Sequence, residues 1–326
     1  MTSAFESQLA DARRPRSLAE LATVGVTAEM ARGKAWRRSS RGFFVPAGAP
    51  LTTTQRILDV APLIPPTGAV AGWAAAYALG VDLLDGRDPF TMAALPIAIQ
   101  LGQDLGRANT DRVRFVRERL PDTHRRIRHG LAVTSPLRTM FDSGRWAINL
   151  VEAVVVLDQL ARATEVDEQE LESWCASGAR WPHINRLRAA LALMDSRSAS
   201  PWESRLRMFY QLHAKLPRPL VNQPVFDLDG RFLGVPDLFD PEAGLVTEFD
   251  GKDHRSRRQH QSDNIREERL EETNLTVCRV DSLDMRQPVP LRERLRSRHA
   301  QGLRRSRELD RWTLVEPLWW RRRRVA

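Results

Sequence analysis

The chain has 326 residues, 42% of them hydrophobic and 28% charged, a balance that excludes wholesale disorder and predicts two or three ordinary domains. No run of about 18 uncharged apolar residues occurs, the start MTSAFESQLADARRPRS lacks a secretory pattern, and Cys175 and Cys278 stand far apart, so a cytoplasmic protein without membrane partner, disulfide framework or Cys-based zinc site is expected. Fifty basic residues against 41 acidic give a net charge of +9, which points to a polyanionic partner, nucleic acid first, although Arg-rich coding is the plainer reading because only Lys34, Lys215 and Lys252 are lysines.

Residues 1–48 predict a small helical unit. Ser17–Val24 has helical apolar spacing, Gly25 breaks it, and Thr27 is placed to cap a second helix over Thr27–Gly33. The run Trp36-Arg37-Arg38-Ser39-Ser40-Arg41-Gly42-Phe43-Phe44-Val45-Pro46 then joins basic residues, a turn glycine and a short apolar strand. Helix, turn, helix and a basic-rimmed strand is the layout of a winged helix-turn-helix, with Arg37, Arg38 and Arg41 clustered at the wing as candidate DNA-phosphate contacts. A helical cap with solvated arginines is the alternative.

Residues 49–195 predict a small α/β region that becomes helical. Helices are expected over Thr52–Leu63 and Ala69–Leu79, strands over Ala93–Leu101, Val113–Arg117 and Leu131–Thr134, and a further helix capped by Ser135 with Pro136 at its first position. Within 149–195, Leu150, Val154, Leu157 and Leu160 share one apolar helical face, and His183 is expected at a surface or helix start. No phosphate loop or Ser/His/Asp cluster is visible here.

The polar stretch 196–200 leads into a third region, 198–310, with the order α–β–β–β–α–β–α. Helices are expected over Pro201–Lys215, His254–Glu272 and Arg292–Leu309. Strands are expected over Leu220–Phe226, Phe232–Phe239, Leu245–Asp250 and Leu275–Val280. Strand alternation puts Val246, Glu248 and Asp250 on one face, with Lys252 joining them if the strand continues past Gly251. Carboxylates among apolar strand residues are costly unless a cation lies between them, and Mg²⁺ is a usual solution.

The residues Ser200-Pro201-Trp202-Glu203, Pro236-Asp237, Glu248-Phe249-Asp250-Gly251-Lys252-Asp253-His254, Asp263-Asn264-Ile265-Arg266 and Thr276–Val280 together resemble the PD-(D/E)XK nuclease superfamily. Within it they are most similar to the branch related to very-short-patch-repair endonucleases. The resemblance covers about residues 198–300. The N-terminal region more weakly resembles abortive-infection type IV antitoxins, through Arg41–Pro46 and Leu131–Pro136. What this implies is an α/β protein whose C-terminal restriction-endonuclease-like mixed sheet is flanked by helices, preceded by the winged-helix-like module and the middle region. It implies a metal-dependent DNA endonuclease using Mg²⁺, with Mn²⁺ as a substitute, or else a non-catalytic DNA-binding regulator or antitoxin-like protein with an inactive nuclease fold and a toxin or other protein partner.

The resemblance also implies residue roles. Asp237 and Glu248 become the metal-binding pair, Glu203 completes the acidic cluster, Asp250 and His254 flank the metal or scissile phosphate, and Asp263 and Arg266 orient the site. The lysine that the superfamily carries two residues after the glutamate is Asp250 here, and Lys252 stands two further on. Plainer readings accompany several of these: Glu203 as a helix-capping residue, Asp250-Gly251 as a turn, His254 as a helix start, and Asp263 with Arg266 as a surface pair.

Overall fold

The computed structural model describes residues 2–103, 108–166, 168–176, 180–251 and 268–325. The protein is mixed α/β and divides into two units, Met1–Met194 and Asp195–Ala326, the boundary lying just before the polar 196–200 stretch. No described helix is long and apolar enough to cross a membrane. Cys175 and Cys278 are free and buried.

The first unit opens with helix α1 (Ala4–Leu9), which the sequence reading did not anticipate. Ser3 and Glu6 form a reciprocal capping box, and Phe5, fully buried, meets Tyr77 edge-on at 6.2 Å. Strand β1 (Arg16–Ser17), helices α2 (Leu18–Ala22) and α3 (Ala28–Arg32), and strands β2 (Trp36–Ser40) and β3 (Phe43–Pro46) follow. Thr27 is the expected cap, its Oγ1 accepting from Met30 N, and Ser17, expected within the helix itself, caps α2 by accepting from Glu20 N. The strands form an antiparallel sheet in the order β1–β3–β2, so the basic run is itself a strand of a hairpin. Gly42 turns that hairpin at φ +81°, where a side chain is strained. Leu21, Ala31 and Phe44 close the small core beneath it.

The rest of this unit is a five-stranded sheet in the order β6–β5–β4–β8–β7, made by Ala69–Ala71 (β4), Ile97–Gln100 (β5), Val113–Val116 (β6), Arg125–Arg128 (β7) and Leu131–Thr134 (β8). Ala69–Ala71 corrects an expectation of helix from residue 69. These three residues are fully buried as the central strand, and helix begins only at Gly72, which turns the chain at φ +62°. Burial in a sheet overrides alanine's helix preference. The basic edge strand Arg125–Arg128 was not anticipated either. Helix α4 (Thr53–Asp59) and helix α5 (Gly72–Ala78) supply Ile57, Ala74 and Tyr77 to a core shared with Val70, Ile99 and Val133 of the sheet.

Helix α6 (Pro136–Trp146), capped by Ser135, carries a buried ionic cluster. Arg138 and Arg145 are 1% and 0% exposed. Arg138 Nε donates to Asp142 Oδ2 at 2.7 Å, and Arg145 Nη2 donates to Asp142 Oδ1 and Glu118 Oε2, each at 2.7 Å. Arg138 Nη2 also reaches Glu118 Oε2 at 3.2 Å, and Gln100 Nε2 donates to Asp142 Oδ2 at 2.8 Å. Burial pushes the Asp142 carboxyl up, against the pull of Arg138 and then Arg145. The Trp181 ring lies under both guanidinium groups, at 5.4 and 4.8 Å. Two cations and two anions thus neutralise each other inside the unit, beside helices α7 (Leu150–Ala163), α8 (Glu168–Ala176) and α9 (Ile184–Leu193).

The second unit begins with helix α10 (Pro201–Met208), extended by a π-helical turn over Phe209–His213. Its main sheet has the order β14–β13–β12–β9, from Leu220–Val221 (β9), Leu238–Asp240 (β12), Leu245–Asp250 (β13) and Thr276–Asp281 (β14). β13 pairs antiparallel with β12 and parallel with β14. A smaller sheet joins Val225–Asp227 (β10), Phe232–Gly234 (β11) and Trp312–Thr313 (β15). Each of the two expected strands Leu220–Phe226 and Phe232–Phe239 is therefore two short strands in different sheets. Asn222, at φ +45°, kinks the first, and Pro236, which has no N–H to donate, interrupts the second. The last long helix, α11, runs over Pro288–Leu303, starting earlier than expected because Pro288 occupies its first turn.

Both faces of the four-stranded sheet are apolar. Leu238, Leu245, Cys278 and Val280 pack with Leu206 and Tyr210 and with Leu291 and Leu295 of α11. Phe239, Val246 and Val277 pack with Val225, Leu270 and Leu275.

Candidate functional site

The acidic residues lie where the second of these faces runs out at one end of the strands. Leu238 pairs with Thr247, so extending the register by one residue sets Asp237 opposite Glu248. Paired strand residues share a face. Asp237 Oδ2 accepts a hydrogen bond from Phe249 N at 2.7 Å, which fastens the carboxylate to β13 itself. On its other side Glu248 is paired with Arg279 of β14, and two residues on, Asp250 is paired with Asp281. Glu248, Asp250, Arg279 and Asp281 are all half-buried. Asp281 is turned towards its own loop, where Oδ1 accepts from Leu283 N and Asp284 N at 2.7 and 2.9 Å.

Glu203 approaches from α10. Ser200 Oγ caps that helix by accepting from Glu203 N at 3.2 Å, as the sequence pattern predicts. The Glu203 carboxylate reaches beyond the cap: Oε2 accepts from Ala199 N at 2.7 Å and from Asn222 Nδ2 at 2.8 Å. Asn222 N in turn donates to the Asp237 carbonyl at 3.2 Å. Glu203, Asn222, Asp237 and Glu248 thus form a continuous chain of neighbours. The Trp202 ring stacks on Phe249 at 5.0 Å with an interplanar angle of 6°, which fixes the first turn of α10 against β13.

Asn222 and Arg279 are the members that reading the sequence missed. Arg279 left a signal, a charged residue in the otherwise buried-type run Thr276–Val280. Asn222 left less, although Asn is one of the few side chains that adopts a left-handed backbone readily. Lys252, His254, Asp263 and Arg266 lie outside the described residues.

Among the described residues no group of three or more His, Cys, Asp or Glu side chains is gathered closely enough to hold a metal ion. The donor set on the strands is the pair Asp237 and Glu248. Two hard carboxylates fit Mg²⁺, which commonly takes only one or two from the protein and completes its shell with water and phosphate.

In the first unit the three arginines of the β2–β3 hairpin have different surroundings. Arg37 is held by Asp59, with Nη1 to Oδ2 at 2.6 Å and Nη2 to Oδ1 at 3.3 Å, and Gln55 Nε2 donates to the same carboxylate at 2.8 Å. Arg38 and Arg41 are exposed, Arg38 Nε donating to the Ser40 carbonyl at 3.3 Å and Arg41 standing at the hairpin turn. Arg32 and Lys34, at the end of α3, are exposed as well.

Set against family models, curated proteins and solved structures, the chain gives no match.

Proposed function

We propose that the second unit is a metal-dependent DNA endonuclease with a restriction-endonuclease-like core, and that residues 1–48 form a winged-helix-type contact to the same DNA. The observation that carries this reading is the facing of Asp237 and Glu248 across adjacent strands, with Glu203 linked to the pair through Asn222. Hydrolysis of a phosphodiester forms one P–O bond from water and breaks one P–O ester bond. Water loses a proton and the departing sugar oxygen gains one. Bound Mg²⁺, or Mn²⁺ in its place, supplies a more acidic water and neutralises charge on the phosphate. Asp237 and Glu248 hold that ion in this reading, and the Phe249 N–H keeps Asp237 from swinging away. Glu203 positions Asn222 and the start of α10 around it. Asp250 lies on the same face for the attacking water, Lys252 offsets phosphate charge, and His254 returns the proton to the leaving oxygen.

The test is cleavage of supercoiled plasmid and of linear duplex by the full chain in Mg²⁺, Mn²⁺ and EDTA, with Asp237→Asn and Glu248→Gln alongside. Metal-dependent nicking that both substitutions abolish, with duplex affinity retained, is the expected result. Absence of cleavage by the wild-type chain in every metal, with duplex still bound, refutes the enzyme. That outcome favours the second reading, a non-catalytic DNA-binding regulator or antitoxin-like protein with a toxin or other protein partner. One feature supports it: the Asp237 carboxylate already has a backbone N–H partner, as a purely structural carboxylate does.

A further inference from the structure

We propose that Arg279 is the phosphate-binding cation of the acidic row, contacting a non-bridging oxygen of the DNA phosphodiester; the assignment rests on the endonuclease reading above. The pairing that fixes its place is continuous. Six successive residues of β13, Leu245–Asp250, align in parallel with Thr276–Asp281, and Arg279 falls beside Glu248. Arg279 shares a face with Val277, which is buried, and with Asp281, which begins the loop after the strand. Its side chain therefore leaves the sheet on the face that carries Glu248 and Asp250, one step beyond buried Val277.

Charge explains why a cation belongs there. Asp237, Glu248, Asp250 and Asp281 bring four carboxylates to this end of the sheet, and a diester brings a further negative charge. A divalent ion offsets two of them. The transition state adds further charge to the equatorial oxygens, and fixed donors aimed at those oxygens are among the largest sources of rate enhancement. Among the described residues of β12, β13 and β14, Arg279 is the only Lys or Arg. A guanidinium suits the task because it stays charged at any working pH and presents a planar fork that matches two phosphate oxygens. A structural account needs less: Arg279 would merely neutralise Glu248 across the strands. The two accounts differ in what the substrate's oxygens feel.

The experiment is single-turnover cleavage by the full chain carrying Arg279→Gln or Arg279→Lys, on a duplex with a normal diester or with either phosphorothioate stereoisomer at the cleaved position. Duplex affinity in Ca²⁺ and the urea midpoint are measured on the same preparations. We expect Arg279→Gln to cut about a hundredfold more slowly, the loss typical of removing one such donor, with the urea midpoint nearly unchanged and duplex affinity in Ca²⁺ lowered by no more than the loss of one phosphate contact. Arg279→Lys is expected to recover part of the rate. The wild-type chain is expected to discriminate between the two phosphorothioates, and Arg279→Gln to lose that discrimination. The assignment is overturned if Arg279→Gln cuts within threefold of wild type. It is also overturned if the lost rate returns on raising Mg²⁺ while stereochemical discrimination persists, because Arg279 then acts only by arranging Glu248. A wild-type chain that does not cut overturns the endonuclease reading and this assignment with it. A wild-type chain that cuts, with an unimpaired Arg279→Gln, overturns this assignment alone.

Discussion

Arg37, Arg38 and Arg41 offer a sharp comparison because they share a hairpin and differ in partners. Arg38 and Arg41 are exposed, whereas Arg37 makes a two-pronged bond to Asp59 with its side chain 24% exposed. If the hairpin lies against duplex DNA, replacing Arg38 and Arg41 together by Ala removes two phosphate contacts. The slope of log K against log salt then falls by about 1.8, from roughly 0.9 per contact. Between 50 and 200 mM salt, that slope difference means the wild-type chain loses roughly 12-fold more affinity than the double variant. Arg37→Ala should behave in the opposite manner. It leaves the slope unchanged but lowers the stability of the first unit by about 1.5–3 kcal/mol, the usual loss for a charge-assisted hydrogen-bonded pair. Fluorescence anisotropy with a labelled duplex over a salt series, together with urea unfolding of each variant, measures both. A double variant with the wild-type slope removes the hairpin from the interface. An Arg37→Ala protein of unaltered stability but reduced slope would refute the division of roles read from Asp59.

Asp142→Ala leaves two fully buried guanidinium groups without their shared carboxylate, and a loss of about 3–5 kcal/mol is expected, readable as a fall in the thermal midpoint of about 6–20 °C; a loss below about 1 kcal/mol refutes the cluster's importance. His124 meets the Trp174 ring at 4.8 Å with a tilt of 57°, and burial first, then the Arg138 charge, holds its pKa below the usual histidine range. The unfolded chain therefore binds the proton more readily. The contribution of neutral His124 is complete above about pH 6.5 and is lost as pH falls from there through the folded-state pKa. Urea midpoints at pH 7.5 and 5.5 should converge in His124→Asn relative to wild type, and an identical pH dependence refutes the assignment. Glu203→Ala removes the acceptor shared by Ala199 N and Asn222 Nδ2 and is expected to cost the second unit about 1.5–3 kcal/mol; urea unfolding that shows no change leaves Glu203 without its positioning role.

Helix starts were the most legible part of the chain, because a cap is a local event. Ser17, Thr27, Ser135 and Ser200 each accept from the backbone three residues on. Short buried strands were the least legible. Ala69–Ala71 becomes a strand only because β5 and β8 lie on either side of it. Leu220–Phe226 looks continuous until the chain turns left-handed at Asn222 and the two halves join different sheets. Within the site, alternation along one strand was enough to place Glu248 and Asp250 on one face. Setting Asp237 opposite Glu248 required a register, and the turn at Asp240–Gly244 sets it: Asp240 Oδ1 accepts from Glu242 N and Ala243 N, each at 3.1 Å. Arg279 joins them through a parallel pairing between segments about thirty residues apart, a relation that local patterning does not carry.

The ionic cluster of Glu118, Arg138, Asp142 and Arg145 restricts how this sequence can drift. Its charges sum to zero, so replacement of the whole set by apolar side chains of similar volume is energetically tolerable, whereas removal of any one strands a buried charge. The neutral sets are separated by single-substitution intermediates that lie several kcal/mol uphill, comparable with the entire stability of an ordinary domain. Descendants of this chain are therefore expected to keep all four residues or to have exchanged them in concert. A surface pair such as Arg87 with Asp85, each side chain 47% exposed, is by contrast free to change one side at a time.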